Sequence, residues 1–528
     1  MTGVVSKLWE DVPVLNSLDP LVELGIARLQ NWSSKDTLAI LAVAVGGAST
    51  FSYYVYTHLD PTLRQMISGE VDRGQVGREI QKRGPIHKVY GLNGPGYLIW
   101  GEAAGKWMLN TEKNNLFSGR EGRSKFSRLL FQGSILDKDF AAHSKTRRLL
   151  SQAFKSDSLR AYLPRMVQEV RHDFDLWVQL SNQKGYVDLE LELKQLALRF
   201  AFTLLVGADF TKDHEMSTGL VQKYEELLLG FIPWPIGEWN GKEKSMKVRR
   251  MLVEDVKGII RKRRELLAKG VMPDFSDPLW LLMNTKDENG QGLTDDELAD
   301  ECVVLVIAGH ETTARTLASF TVEILQNPTL LLDLRKEQSD LVQQFPLENG
   351  NYTNDHIKHM PLLDACFREI ERMYGPAVEV SRVVRNDIVF KDPESGKEMK
   401  IRKGKRIAWS ITATNRDPRV YPDPDTFDPY RWIEGAAASP SASAASAKGQ
   451  DSDLGAVKVS SFRLATFGAG HRVCLGMQFA RMEMLIIAGM MIKDYDFSDV
   501  KPGVELIEVR RPKFGYRDGV PVKFTKRV

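Results

Sequence analysis

The chain has 528 residues, 43% of them hydrophobic and 27% charged, with a formal net charge of +3. That composition belongs to a globular protein able to build a large core. It excludes a wholly disordered or polybasic chain, so only local basic patches speak to partners. Three cysteines, Cys302, Cys366 and Cys474, exclude a disulfide framework and place the folded part of the chain in a reducing compartment.

In residues 1–37, Glu10, Asp11, Asp19 and Glu23 interrupt the apolar residues, unlike the acid-poor composition of a mitochondrial transit peptide. Val14, Leu15, Leu18, Leu21, Val22 and Ile26 fit an amphipathic helix lying on a membrane surface. Residues 38–56 carry no charge and are long enough to cross a hydrocarbon layer of roughly 30 Å. Tyr53, Tyr54 and Tyr56 fit an interface, and Arg64, Arg73, Arg78, Lys82 and Arg83 put the chain that follows in the cytosol. A buried core helix is the other reading of this run. Residues 57–83 read as a linker, and 84–528 as one domain, mainly α with a small β region.

Within that domain His87–Leu92 and Tyr97–Trp100 alternate like a hairpin over Asn93, Gly94 and Pro95. Leu109–Ser134 is polar, lacks a steady period and reads as a long loop. Phe140–Phe154 reads as a helix carrying His143, Lys145, Arg147 and Arg148. From Leu159 to Met283 helix follows helix, interrupted by the Pro-, Gly- and Trp-rich loop Phe231–Gly241. Leu293–Leu325 is a long apolar helical run broken by Ala308, Gly309, His310, Glu311, Thr312 and Thr313. A polar cluster inside a buried helix is costly unless it has a task. Gly309 weakens the helix there and Thr312 can bond the carbonyl one turn back, so a local bulge is expected.

Leu362–Tyr374 reads as a helix placing Glu369 and Arg372 three apart on one face, where burial would require them to be paired. A strand begins at Pro376, and Ile388–Phe390, Lys400–Arg402 and Arg406–Ser410 follow as short strands with turns at Gly396 and Gly404. Residues 435–450 are nearly all Ala, Ser, Gly and Pro and read as a disordered surface insertion. Val504–Val509 and Val520–Phe524 read as strands. Cys302 and Cys366 fall on buried helix faces and read as core packing.

Cys474 differs from the other two cysteines. It sits in Phe467–Gly476, among Gly468, Gly470 and Gly476, two residues after Arg472 and just ahead of an expected helix over Gln478–Ile492. The glycines permit turns and close approach to a flat partner, and the helix N-terminus favours a thiolate. A lone thiolate does not suit zinc, which takes four ligands, whereas haem iron needs one protein ligand and accepts Cys.

The spacing Phe467-x-x-Gly470-x-Arg472-x-Cys474-x-Gly476 resembles the haem-binding signature of the cytochrome P-450 superfamily at every fixed position. That resemblance implies haem b (iron protoporphyrin IX) as cofactor and Cys474 as iron ligand. Phe467, Gly468, Arg472, Gly476 and Ala308 would form its cradle. The segment 308–313 is similar to the family's oxygen-activation motif, which implies Thr312 in oxygen activation and Glu311 in proton relay. Where the family carries Trp-x-x-x-Arg this chain has His143 and Arg147; Arg147 and Arg382 would reach the haem propionates. Glu369 and Arg372 would pair with Arg431 in a structural triad behind the pocket. Val378, Glu379, Val380 and Phe514 are the implied substrate contacts, with local pairing the stronger expectation for Glu379. Lys145, Arg148, Arg463 and His471 would form a basic patch for an acidic redox partner.

The implied protein is a membrane-anchored microsomal monooxygenase, single-pass in the endoplasmic-reticulum membrane with a cytosolic catalytic domain. It would insert one oxygen atom from O2 into a lipophilic substrate (sterol, isoprenoid or fatty acid). Electrons would come from an NADPH-cytochrome reductase, with cytochrome b5 as a further donor, and no nucleic acid would be involved. Two other classes stay open. One is a haem-thiolate isomerase, dehydratase or peroxygenase of the same fold, and the other a non-catalytic haem-binding sensor.

Overall fold

Apolar residues at helical spacing, started by capping side chains, build most of the domain. The structure is a computed structural model that describes residues 72–91, 94–111, 115–207, 223, 226–227, 240–271, 278–392, 395–433, 460–499, 508–509, 515–516 and 518–527. The segment 1–37, the uncharged run 38–56, most of the linker 57–83, the loop 231–239, the insertion 435–450, strand residues 504–507 and Phe514 lie outside the described residues.

Seven helices position the site: α1 (Phe140–Leu150), α2 (Ser156–Lys184), α3 (Leu189–Phe200), α4 (Gly241–Ala268), α5 (Asp295–Gln326), α6 (Pro361–Tyr374) and α7 (Met477–Asp494). Thr294 starts α5 with a capping box, its hydroxyl accepting from Glu297 N while the Glu297 carboxylate accepts from Thr294 N. α5 then runs through the centre, packed against α3, α4, α6 and α7. With 32 residues it spans roughly 48 Å at 1.5 Å per residue. Cys302 and Cys366 are fully buried on α5 and α6, as their apolar surroundings led us to expect.

The β region is small. β1 (Ile86–Gly91), β2 (Gly94–Ile99) and β3 (Phe117–Ser118) precede α1, and β4 (Val187–Asp188) precedes α3. β5 (Glu379–Val384), β6 (Ile388–Lys391), β7 (Glu398–Ile401) and β8 (Arg406–Ser410) follow α6. β9 (Tyr495–Asp499), β10 (Glu508–Val509), β11 (Gly515–Tyr516) and β12 (Pro521–Lys526) follow α7. The principal sheet has the order β1-β2-β8-β5-β3, with β2 and β8 parallel and the other pairs antiparallel. A second sheet, β4-β12-β9, is fastened to α2 by an aromatic cluster in which Phe174 and Trp177 are 4.8 Å apart and Tyr495 and Phe524 4.9 Å apart. Clusters of this kind carry much of a core's energy; truncating Phe174 to Ala should remove about 3–5 kcal/mol.

Two sequence expectations change. Leu109–Ser134 is not a long loop: it holds the end of a helix to Thr111, β3, and helices Gly119–Gly122 and Lys125–Leu130. Ser118 and Ser124 cap those two helices, which are too short to display a period. The bulge expected at 308–313 is also absent, because α5 is α-helical throughout. The wide turn lies next door instead, where α3 continues as a π-helix over Ala201–Val206 and supplies the nearest neighbours of Gly309, Leu205 and Ala201.

Candidate functional site

One cavity of about 790 Å³ collects residues from widely separated segments of the chain. Its roof is Arg123, Ser124, Phe126 and Ser127. One wall is the α5 stretch of Ala308, Thr312, Thr313 and Thr316, and another runs from Pro376 to Arg382. Phe467, Gly468, Arg472 and Cys474 complete it. In the otherwise mostly buried middle of α5, Ala308 and Thr312 are exposed, one turn apart, because that face opens on the cavity. The Thr312 hydroxyl donates to the Ala308 carbonyl at 2.7 Å, the local bond foreseen from sequence.

Cys474 is positioned by its loop. Its N–H donates to the Phe467 carbonyl at 2.8 Å, and Gly468 and Gly470 both take φ near +70°, the left-handed region that glycine adopts at little cost. The accessible surface of Cys474 belongs to the cavity wall. Burial pushes its thiol above the ordinary range, against the Gly476 backbone bond and the Arg147 charge, which pull it down. The helix start therefore does not by itself produce a thiolate here; coordination to a metal would. A thiol opening on a large, mostly apolar cavity, with Arg382 and Arg472 on its rim and a glycine loop beside it, fits an iron porphyrin with carboxylate edges.

The remaining expected residues sit as follows. Arg382 is buried and donates from Nη1 to the Ser381 carbonyl at 2.8 Å. Arg147 is half-buried and close enough to Cys474 for the two charges to influence each other, but it is not part of the cavity wall. His143, in the place of the family's Trp, is buried against His471 with ring centroids 5.7 Å apart, and its Nδ1 has no hydrogen-bond partner. Burial and the nearby Arg472, His471 and Arg147 charges hold His143 down to about 3, so it is neutral. Gly476 packs against Phe154 instead of the cavity. Glu379 and Val380 line the cavity; Val378 does not, its carbonyl accepting from Ile411 N and Thr412 N. Glu379 pairs locally, with Arg406 and the Ser381 hydroxyl.

Glu311 departs most from expectation. Its carboxylate lies outside the cavity wall, 3.6 Å from the buried Lys194 of α3, which is also 3.6 Å from Glu190. Glu190 in turn accepts from Tyr516 N at 2.9 Å. Sequence reading missed Lys194, because nothing local in 189–200 separates this lysine from a solvated one; only the approach of α3 to α5 makes it a partner.

The Glu369 triad is complete. Arg372 donates to both carboxylate oxygens at 2.8 Å, Arg431 Nε to one at 3.1 Å and Trp432 Nε1 to the other at 2.9 Å, and Arg372, Glu369 and Arg431 are all at most 2% exposed. Glu371, as expected, points elsewhere, to Arg481 at 3.1 Å. The basic patch is not bare: Lys145 pairs with Asp287 at 3.0 Å, Arg148 with Glu288 at 3.2 Å and Arg463 with Glu102 at 2.6 Å. Neighbouring acids from distant parts of the chain cancel the charge that the sequence suggested.

A central long helix over a cysteine-bearing glycine loop defines a haem-thiolate enzyme. The family described as Cytochrome P450 matches residues 73–515, and the chain belongs to that family of haem-dependent monooxygenases. It is similar to cytochrome P450 120 of the cyanobacterium Synechocystis sp., 28% identical over 453 residues that cover 85% of this chain and 92% of the relative. A lanosterol 14-alpha demethylase of Cunninghamella elegans is 25% identical over 405 residues, 75% of each chain. Among solved structures, retinoic acid bound cyanobacterial CYP120A1 superposes with a TM-score of 0.69 at 26% identity, covering 85% of this chain and 94% of that one.

These findings overturn the microsomal localisation, single-pass in the endoplasmic-reticulum membrane. A cyanobacterial relative spans most of the chain and the family match covers residues 73–515; among the described residues, which do not include 38–56, no helix is long and apolar enough to cross a membrane. Residues 38–56 are long and uncharged, but Gly46, Gly47, Ser49 and Thr50 lower the drive of that run into a bilayer.

Proposed function

We propose that this monooxygenase inserts one oxygen atom from O2 into an elongated isoprenoid, sterol or fatty acid, with electrons from an NADPH-dependent reductase. The observation that supports this reading is one cavity lined by both Cys474 and Thr312 together with Phe126, Ala377, Val380, Ile411 and Met484. Those side chains suit a lipophilic ligand and exclude water. The names of the relatives, a lanosterol demethylase and a retinoic acid complex, support the substrate class.

Cys474, Arg382 and Arg472 would hold haem, which would supply the oxygen chemistry when bound, while the protein sets the proton supply and the pocket. Thr312 gives its hydroxyl hydrogen to the Ala308 carbonyl, which leaves the Thr312 oxygen lone pairs to accept a hydrogen bond from the cavity side. Glu311 brings protons by leaving Lys194 and turning toward Thr312 Oγ1. Electrons enter on the Cys474 side, where the paired state of Lys145, Arg148 and Arg463 makes docking only weakly dependent on salt.

The peroxygenase reading has one observation in its favour, the Glu311 carboxylate held away from the cavity by Lys194. Adding retinoic acid, lanosterol and long-chain fatty acids to the haem-loaded protein should give a displaced-water spectral shift with at least one of them, and product with reductase and NADPH. Turnover with hydroperoxide but none with NADPH and reductase would transfer the protein to the second reading. Cys474→Ser should abolish the red-shifted carbon monoxide band; an unchanged band would end both.

A further inference from the structure

Arg472 is held from outside the cavity. Its Nη2 commits both hydrogens, one to the Asp139 carboxylate at 2.7 Å and one to the Lys138 carbonyl at 3.1 Å. Asp139 is a hub. Besides Arg472, it accepts from the Ser118 hydroxyl at 2.5 Å and from the backbone N–H groups of Gly119 and Arg120, both at 3.0 Å. Gly119 leaves room for this arrangement, since a Cβ there would sit 3.1 Å from the Arg472 guanidinium carbon. The residue after Asp139 is Phe140, at φ 49°, a left-handed conformation that costs a bulky side chain of order 1–3 kcal/mol and persists only where surrounding structure enforces it. Phe140 is kept there partly by Arg385, whose guanidinium lies 5.1 Å from its ring centroid.

We infer that Asp139 is a positioning residue that shares the Arg472 guanidinium with the haem carboxylate edge and fastens the cavity roof to the same cation. A guanidinium compensated by Asp139 would offer a haem carboxylate less than a full positive charge and would grip haem less tightly, and the Asp139 charge would disfavour an electron added to the site. The same carboxylate anchors Ser118, Gly119 and Arg120, which begin the segment ending in the roof residues Arg123, Ser124, Phe126 and Ser127. Any pull on Arg472 toward the cavity therefore weakens the attachment of the roof. Burial works to raise the Asp139 carboxyl, but the Ser118 hydroxyl, the Arg120 amide and the Arg472 charge outweigh it and hold the group below its ordinary range, so it stays ionised.

The test is Asp139→Asn, which keeps an acceptor for the two amides and removes the charge. Haem-loaded protein is mixed with excess haem-free myoglobin and haem transfer is timed; the ferric–ferrous midpoint potential is read by spectroelectrochemistry. Transfer should slow by about threefold or more, the effect of an unscreened unit charge at partly buried distances, and the midpoint should move positive, because losing an anion favours the added electron. Hydrogen exchange at 118–127 should rise. Ser118→Ala, which loosens the roof without touching the charge, should raise exchange and leave the potential where it was. Wild-type transfer rate and potential in a folded Asp139→Asn protein would overturn the inference. Should that variant not fold, Gly119→Ala, which pushes the guanidinium off Asp139 toward the cavity, must slow haem transfer in the same way or the inference fails.

Discussion

At the scale of the residue, the two side chains of the 308–313 motif on α5 lie in different surroundings. Thr312 faces the cavity, and its hydroxyl is oriented by one bond to Ala308. Thr312→Ala removes the acceptor on the cavity side, so NADPH should continue to be consumed while product per NADPH falls by roughly tenfold or more; full coupling measured by product against NADPH loss would contradict the assignment. Glu311 is restrained by Lys194, which two carboxylates share. Replacing Lys194 with Met removes the cation that the two acids share, and coupling should change severalfold with a different pH profile. Lys194→Arg should restore the profile, since it keeps the charge within reach of both acids. Equal profiles in all three proteins would make Lys194 a packing residue only.

At the scale of the element, the junction of α6 with the segment carrying Arg431 is held by a buried charge cluster that tolerates little change. Glu369 accepts from Arg372, Arg431, Trp432 Nε1 and the Asp428 amide, with no exposure to water. Removing one partner of such a group leaves an uncompensated buried charge, and Arg431→Ala should cost about 3–5 kcal/mol. Chemical denaturation would measure the loss, and lowered haem content in the purified variant should accompany it. The roof helices Gly119–Gly122 and Lys125–Leu130 are at the other extreme. They are short and capped by single serines, and they are joined to α4 and α5 through Arg249, which donates to the Leu130 carbonyl at 2.7 Å and to Asp300 at 2.5 Å. Short elements held by a few polar contacts open more readily than packed helices.

For the whole molecule, burial of charge along α5 makes stability depend on pH. Glu301 is buried, with Lys138 4.0 Å away, and burial pushes its carboxyl up from 4.5 to about 8. Between those values the folded state holds a proton that the unfolded state has released, so stability declines as pH rises from near 4.5 and levels off above about 8. Glu301→Gln should flatten that slope and raise the melting temperature at pH 8 relative to wild type; an identical slope in thermal melts across this range would remove Glu301 from the account. The same whole-molecule view separates what the sequence by itself determined from what it left open. Hairpin β1–β2, the helix after Cys474 and the 369–372 pairing are written in local spacing, because period and turn residues act over distances that the chain itself fixes. Only the tertiary structure decided that Lys194 faces Glu311, that Asp139 holds Arg472, that acids cancel the basic patch and that α5 keeps its regular turns. In the three charge pairings the partner comes from an element many residues away, and a side chain's charge is defined by whatever packing brings within a few ångströms of it.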